Sequence, residues 1–462
     1  MTMKLQADYM RAFKPADIRG IYPTEIDDEL VYFVARAFVE EFGFKKIIVG
    51  RDMRLSSPAL YDAFVKGATD SGAAVVDIGM VHSPVVYYVS GTMNLPGVMI
   101  TASHSPKDYA GLKLVFAQAI PLTESTGLRK LRRRIEVGKF AAGLKRGKVT
   151  SKDVLKSYQR FVLKGYKAKK LEGIKVAADT GNGMAGVLVP LLQEKLPVQF
   201  DVLFPKLDGN FPNRGSDPTL GKHQKQLKAR LQQKNYDFGI SFDGDADRIA
   251  FLDENGTYVN SAVVGALIAE RLIARNPKAK IGYTMLTSRS YEEAIRAAGG
   301  KPILMRVGHA FIKDAMRKKD VLFACEHSGH FYFKDYFYTD SVTLTLLEVL
   351  DAYAEARAGG QTFGEMIRPY LKYQQTEDIV INVKDKKVSL AKVEAYIKTL
   401  QPKSMRKFDG LVVDFGDTWG GVKVSVTEFA LKLMFESTKK KAAKEMQSKI
   451  AAYIKTIAND SH

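Results

Sequence analysis

The chain reads as a multidomain α/β protein that closes with a small α+β domain. Two patterns predict this. Through the first three quarters, short apolar runs rich in β-branched residues alternate with segments of helical spacing, as expected for largely parallel sheets covered by helices. After residues 369–376 the alternation stops, and a strand, a helix, two strands and a last helix follow. A length of 462 residues sets a prior of roughly three domains, and 46% apolar composition is ample for several cores.

Taken in order, residues 27–43 predict a helix, with acids in its first turn and Gly43 at its end. KKIIVGRD (45–52), AAVVDIG (73–79) and GVMITA (97–102) predict strands, and helical spacing over 58–72 joins the first two. The same alternation restarts at GIKVAADTGNG (173–183) and again at KIGYTML (280–286), so three α/β units in series are expected. Joints are expected in the lysine-rich stretch 145–158, near ENGTY (254–258), and at 369–376. These divide the chain into 1–150, 151–255, 256–370 and 371–462. In the last part, strands are expected over 378–383, 410–415 and 422–426, with helices over 390–400 and at the end.

The single cysteine, Cys325, rules out an intrachain disulfide and fits a reducing compartment. The amino-terminal residues contain no uninterrupted apolar h-region, and no stretch is long and uncharged enough to cross a bilayer. A cytoplasmic protein without a membrane partner is expected. The formal charge of +19 would attract any polyanion. Much of the lysine excess, however, lies in runs such as STKKKAAKEMQSK (437–449), which read as solvated helix faces. Zinc-finger spacing, an RRM signature and aromatic-interleaved basic segments are all missing, so a small anionic substrate is expected rather than nucleic acid. Oligomeric state leaves no mark in the sequence.

Two short loops carry the chemistry. TASHSP (101–106) follows a predicted strand, so Ser103 sits where the strand opens into a loop and is reachable. DGDADR (243–248) offers the carboxylates of Asp243, Asp245 and Asp247, spaced to chelate one hard cation. With Glu254 twelfth in line it mimics an EF-hand, but Arg248 stands where the sixth-position glycine is needed and a strand follows instead of a helix. FGISF enters and IAFL leaves, so the loop is an aspartate-rich tip between two strands. Mg2+ suits it, because that ion takes few carboxylates and keeps places for phosphate oxygen and water. A serine that accepts a phosphoryl group needs a cation beside it, so the two loops together point to metal-assisted phosphoryl transfer.

Each motif also has a plainer reading. Ser103 and His104 suit an ordinary turn, and the aspartates suit an acidic surface turn. Lys113, in DYAGLKLV, would neutralise a phosphate or shuttle a proton, or else is a surface lysine beginning a strand. CEHSGH (325–330) places Glu326, Ser328 and His330 on a glycine-bearing loop suited to sugar hydroxyls, or is a polar turn. VGHAFIK (307–313) adds His309 and Lys313, where a histidine near a helix start is commonly a cap.

The ordered set FKPADIRG (13–20), VGRDMRLSSP (49–58), TASHSP, DGNFPN (208–213), DGDADR, VGHAFIK and CEHSGH resembles the α-D-phosphohexomutase superfamily, closest to phosphomannomutase/phosphoglucomutase. The resemblance spans nearly the whole chain. It implies three mixed α/β domains and a fourth, TATA-binding-protein-like α+β domain around a central cleft. It also implies a phosphoryl group on Ser103, and Mg2+ held by Asp243, Asp245, Asp247 and Ser103. Transfer to a hexose phosphate would give a hexose 1,6-bisphosphate, which also serves as activator. Arg19, Arg248, Lys113, His104 and His330 would surround the transferring group, with Lys113 and His330 as candidate acid and base. Glu326 and Ser328 would hold sugar hydroxyls, and His309 would join the substrate site.

This chain departs from the family pattern at the fourth-domain phosphate loop. That loop usually reads R-P-S-G/N-T-E-P, whereas KVSVTEF (423–429) stands here. Lys423 brings charge without the fork of an arginine, and Val426 replaces a residue that turns backbone N–H groups toward phosphate. Ser425, Thr427 and Glu428 are retained, and Lys432 is expected to assist. Ala16 stands for a common tyrosine, Ser105 for an asparagine and Cys325 for a glycine. The resemblance thus implies a mutase for mannose or glucose phosphates. The rivals are a phosphoglucosamine mutase, a phosphatase that loses its phosphoserine to water, and a non-enzymatic sugar-phosphate binder.

Overall fold

In the computed structural model, residues 7–233, 235–425 and 429–458 are described. The chain forms two compact units, Met1–Asn260 with Ser328–Met366, and Ser261–His327 with Ile367–His462.

The first unit contains two mixed sheets. One holds β1 (Ile18–Ile21), β2 (Lys46–Arg51), β3 (Ala74–Met80), β4 (Gly97–Ile100), β5 (Tyr109–Phe116), β6 (Ile120–Pro121) and β7 (Val149–Ser151), in the order β1-β5-β4-β2-β3-β7, with β6 beside β5. β4, β2, β3 and β7 run parallel, while β5 is antiparallel to β1, β4 and β6. The helices Asp28–Phe42 and Ser57–Asp70 press Leu30, Val34, Phe38, Leu60 and Phe64 into a core with Ile47, Val49, Val98 and Leu112. Asp27 caps the first helix by accepting from Leu30 N, and Gly43 ends it in the left-handed region, as its sequence predicts. The stretch 145–158, where a joint is expected, contains the edge strand β7 and the start of the helix Leu155–Val162. Lysine at both flanks of this exposed edge strand keeps its unpaired groups from recruiting another strand.

The second sheet holds β8 (Lys175–Asp179), β9 (Gln199–Leu203), β10 (Phe238–Phe242), β11 (Ile249–Leu252) and β12 (Tyr258–Val259), in the order β12-β11-β10-β8-β9. β8, β9 and β10 are parallel, and β10 turns back antiparallel into β11 through DGDADR, the expected strand–tip–strand arrangement.

In the second unit, β13 (Lys280–Thr284), β14 (Lys301–Met305) and β15 (Phe323–Cys325) run parallel with β13 between the others. β16 (Phe331–Phe333) and β17 (Thr339–Asp340) form an antiparallel pair in the first unit. The carboxy-terminal part of the second unit is an antiparallel sheet of β18 (Gln374–Gln375), β19 (Ile379–Asn382), β20 (Ser404–Lys407), β21 (Gly410–Asp414), β22 (Thr418–Val424) and β23 (Ala430–Ser437). Helices Lys386–Thr399 and Lys440–Ala458 cover it through Val393, Ile397, Ile450 and Ile454. Three strands were expected here, and six are present among the described residues. β18 has only two residues, β20 is polar, and β23 is buried at nearly every position, so none shows the alternation of a half-buried strand. The first of these helices begins four residues before its expected start, because Asp385 caps it by accepting from Lys387 N and Val388 N.

One buried acid in this unit ties pH to stability. Glu436 on β23 accepts from Ser288 Oγ at 2.6 Å, and burial pushes its pKa from 4.5 up to about 7. Between those values the native state binds more proton than the unfolded chain, so stability falls as pH rises toward 7, by on the order of 3 kcal/mol. Above pH 7 both states are ionised and the loss is complete. Denaturant melts of Glu436→Gln are expected to match wild type near pH 4.5 and to exceed it near pH 8; parallel profiles would contradict this assignment.

Candidate active site

Ser103 lies three residues past β4 and is 2% exposed. Its loop is pinned from within. Thr101 Oγ1 accepts from Ser103 N at 2.9 Å. The guanidinium of Arg54, 1% exposed, donates to the carbonyls of Ser103 (2.8 Å), Ser105 (2.6 Å), Pro106 (2.6 Å) and Tyr109 (3.1 Å). Together these hold Ser103 at φ 52°, a left-handed conformation that a non-glycine residue keeps only when its surroundings over-determine it.

The aspartate loop meets this serine directly. Ser103 Oγ donates to Asp243 Oδ2 at 2.8 Å, while Asp243 Oδ1 accepts from the N–H groups of Asp247 (3.0 Å) and Arg248 (3.1 Å). Gly244 permits the approach, since a Cβ there would stand 2.6 Å from the Ser103 carbonyl oxygen. All three aspartates are buried, which excludes the acidic surface turn. Arg214 closes the base of the loop by donating to Asp179 Oδ2 (2.8 Å), Ser241 Oγ (3.0 Å) and the Phe242 carbonyl (2.8 Å). Ser83, first residue of the helix Ser83–Met93, gives its N–H to the Asp245 carbonyl at 3.0 Å and its hydroxyl to Asp245 Oδ2.

Lys113 is in the middle of β5 and 4% exposed, so it is no surface lysine. Its Nζ donates to Asp245 Oδ2 at 2.6 Å and to Asp247 Oδ2. Burial opposes its charge, but Asp245 and Asp247 more than offset that and hold its pKa well above the ordinary value. Asp243 moves the other way for a carboxylate: burial, then repulsion from Asp247 and Asp245, raises its pKa well above normal. Burial and Asp247 also push Asp245 up, yet the Lys113 ammonium and the Ser83 hydroxyl bring it below normal.

The three aspartates each present an oxygen within 4.8 Å of the other two, and Asp245 Oδ1 is buried without a hydrogen-bond partner. An all-oxygen donor set of this compactness, with a lone pair left unused, fits a hard divalent cation.

Of the remaining expected groups of the first unit, Arg248, His330 and His104 touch this nest, and Arg19 touches the serine loop. Arg248 Nε donates to His330 Nε2 at 3.1 Å, and His330 Nδ1 is 3.2 Å from the Asp247 carbonyl, which fixes a neutral ring protonated at Nδ1. His104 Nδ1 is 3.4 Å from Ser103 Oγ. Loss of solvent around the His104 ring, then the charges of Arg248 and Arg19, hold its pKa well below normal, so it too is neutral. Arg19 donates to Ser105 Oγ at 3.2 Å and pairs with Asp17 at 2.6 Å. Ser328 is half-buried in the first unit.

The second unit carries the other expected substrate groups. His309 opens the helix His309–Lys319, and Glu326 Oε1 accepts from Gly308 N at 2.9 Å. Lys423 is buried on β22, 3.7 Å from Asp409 Oδ2, and Lys432 is directly opposite it on β23. Ser425 is buried just beyond β22, and Thr427 lies outside the described residues.

Arg54, Arg214, Ser83 and Asp409 support these clusters and were not singled out from the sequence. Arg54 could have been found, since VGRDMRLSSP is among the motifs that carry the resemblance. The others become visible only through contacts far away in the chain.

Residues 10–142, 156–256 and 260–373 match the sequence descriptions of phosphoglucomutase/phosphomannomutase α/β/α domains I, II and III. The chain is 32% identical to phosphohexose mutases of Xanthomonas campestris pv. campestris, over 92% of this chain and 95% of the relative. It is 32% identical to phosphomannomutase/phosphoglucomutase of Pseudomonas aeruginosa, over 96% of both chains. A crystal structure of a phosphoglucomutase/phosphomannomutase family protein from Burkholderia thailandensis superimposes with a TM-score of 0.89 at 28% identity, covering 100% of this chain and 99% of that one.

Proposed function

Because the chain belongs to the phosphoglucomutase/phosphomannomutase family, we propose that it is an isomerase moving phosphate between the 1 and 6 positions of mannose and glucose phosphates, with Ser103 as carrier. The observation that supports this most strongly is the Ser103 hydroxyl, 2.8 Å from Asp243 in a buried nest of three carboxylates.

In the resting enzyme Ser103 Oγ bears the phosphoryl group. A hydroxyl of the bound hexose monophosphate attacks that phosphorus, the P–Oγ bond breaks, the hydroxyl proton passes to a base and Oγ takes one up. The product is a hexose 1,6-bisphosphate. After this intermediate turns over, Ser103 Oγ attacks its other phosphorus, releasing the isomeric monophosphate and restoring phosphoserine. Lys113 and His330 are the groups assigned to these proton movements, with Arg248 orienting the His330 ring. Mg2+, held by Asp243, Asp245, Asp247 and a Ser103 oxygen, would offset charge on the transferring group. Arg19 and His104 border that group. Glu326, Ser328 and His309 would hold the sugar, and Lys423, Ser425, Thr427 and Lys432 the phosphate that does not react.

The same reading gives a cytoplasmic enzyme of small sugar phosphates without nucleic-acid or membrane partners. Hexose 1,6-bisphosphate acts as activator by reloading any Ser103 that has lost its phosphoryl group. The division into 1–150, 151–255, 256–370 and 371–462 belongs to this proposal. No helix among the described residues is long and apolar enough to cross a membrane.

The test is to supply glucose 1-phosphate or mannose 1-phosphate with Mg2+ and a trace of hexose bisphosphate, then follow the 6-phosphate isomer and free phosphate. Isomer formation is expected. Free phosphate alone would instead make the protein a phosphatase, and neither product would make it a binder.

A further inference from the structure

Lys423 and Lys432 stand directly across β22 and β23, so their side chains leave the same face of the sheet. Like charges so placed destabilise a sheet unless something negative faces them. Part of the answer is Asp409, in the turn before β21 at φ 55°. Its carboxylate accepts from Val307 N at 2.9 Å, lies 3.7 Å from Lys423 Nζ and lies 3.3 Å from Arg306 Nε. Glu326 is the other acid acting on Lys423, and Lys432 and Arg306 oppose its charge. Lys432 has no ion pair among the described residues.

Arg306 is held as a clamp would be. Nε is turned to Asp409, the guanidinium carbon sits 4.0 Å from the centre of the Phe311 ring, and the side chain is 51% exposed. Its two terminal nitrogens make no hydrogen bond among the described residues. Stacking and the Nε contact fix the plane of the group before any ligand arrives, and the two terminal N–H₂ groups form a fork matching two oxygens of a phosphate. Lys423 is a point charge, buried and already near a carboxylate, and supplies no such fork.

We propose that Arg306 is the residue that clamps the non-reacting phosphate of the substrate, doing from the segment before the helix His309–Lys319 what Lys423 cannot do from β22. This rests on the hexose-phosphate reading above. Lys423 and Lys432 complete the site as fixed positive charge, and Asp409 keeps the cations in register.

Calorimetric titration with glucose 6-phosphate, alongside steady-state kinetics, tests it. Arg306→Gln is expected to weaken glucose 6-phosphate binding roughly ten- to hundred-fold, the range for losing a charge-assisted hydrogen-bond pair. The loss should appear in KM rather than kcat, because the grip is the same in ground and transition states. Arg306→Lys should recover only part of the binding, and Lys423→Arg added to Arg306→Gln should recover most of it by returning a fork to β22. The melting temperature of Arg306→Gln should stay at the wild-type value, since the side chain is half exposed. Binding within twofold of wild type, full recovery with lysine, or a melting temperature that falls together with affinity would each overturn the assignment. If wild type binds glucose 6-phosphate without isomerising it, the mutase reading fails, while the Arg306 comparison still decides this claim.

Discussion

Replacing Ser103 by alanine is expected to lower isomerisation by at least about 10⁴-fold, the scale on which a lost nucleophile registers when the rest of its site survives. The fold should persist. Arg54 binds the loop through carbonyls, not through the serine side chain, and Thr101 Oγ1 accepts from the Ser103 backbone. Asp243 keeps the N–H groups of Asp247 and Arg248 after the hydroxyl is gone. The three aspartates remain, so stabilisation by added Mg2+ should be reduced by the lost serine oxygen but still measurable in the variant, which separates loss of the carrier from collapse of the site. Melting curves with and without Mg2+, beside the coupled assay of the 6-phosphate isomer, make the comparison. A variant that isomerises at more than a small fraction of the wild-type rate would remove Ser103 from the chemistry.

Replacing Lys113 by methionine should be the most damaging change to stability. The ammonium is the near counter-charge of two buried carboxylates, Asp245 and Asp247, and methionine keeps the bulk while deleting the charge. Removing one partner of a buried ion pair costs about 3–5 kcal/mol, because the other partner is left charged in a poor solvent. The expected result is a loss of that size by denaturant melts in chelator, with partial recovery in Mg2+, since a divalent cation at the aspartates supplies the missing charge. Activity should fall as well, as Lys113 is one of the two groups assigned to proton movement. Equal stability of wild type and Lys113→Met in chelator would show that the aspartates do not depend on the ammonium.

The reacting loops were legible because each is contiguous in the chain. TASHSP and DGDADR carry their donor atoms within six residues, and flanking strands could be read from β-branched runs on either side. Lys113 was harder. In DYAGLKLV it alternates with Leu112 and Leu114, so period-2 reasoning sends it to the solvent face of a strand. It is buried because the aspartate loop, some 130 residues further on, covers that face. Ser83, Arg214 and Asp409 share this difficulty. Each reads as an ordinary polar residue at a helix start or turn, and its partners are supplied by tertiary structure. Arg306 looks like a solvated cation ahead of a helix until Asp409 and Phe311 are seen to fix it. In the carboxy-terminal sheet, the strand β20 has no apolar alternation and β23 is buried at every position but Lys432, so periodicity signalled neither.

The most direct measurement is mass analysis of the Ser103 peptide after incubation with glucose 1,6-bisphosphate and Mg2+, followed by a chase with glucose 1-phosphate. A phosphoryl group should appear on Ser103 and pass to the sugar during the chase at a rate that keeps pace with turnover. A Ser103 that stays unmodified while isomerisation proceeds, or a phosphoryl group that leaves only to water, would contradict the account.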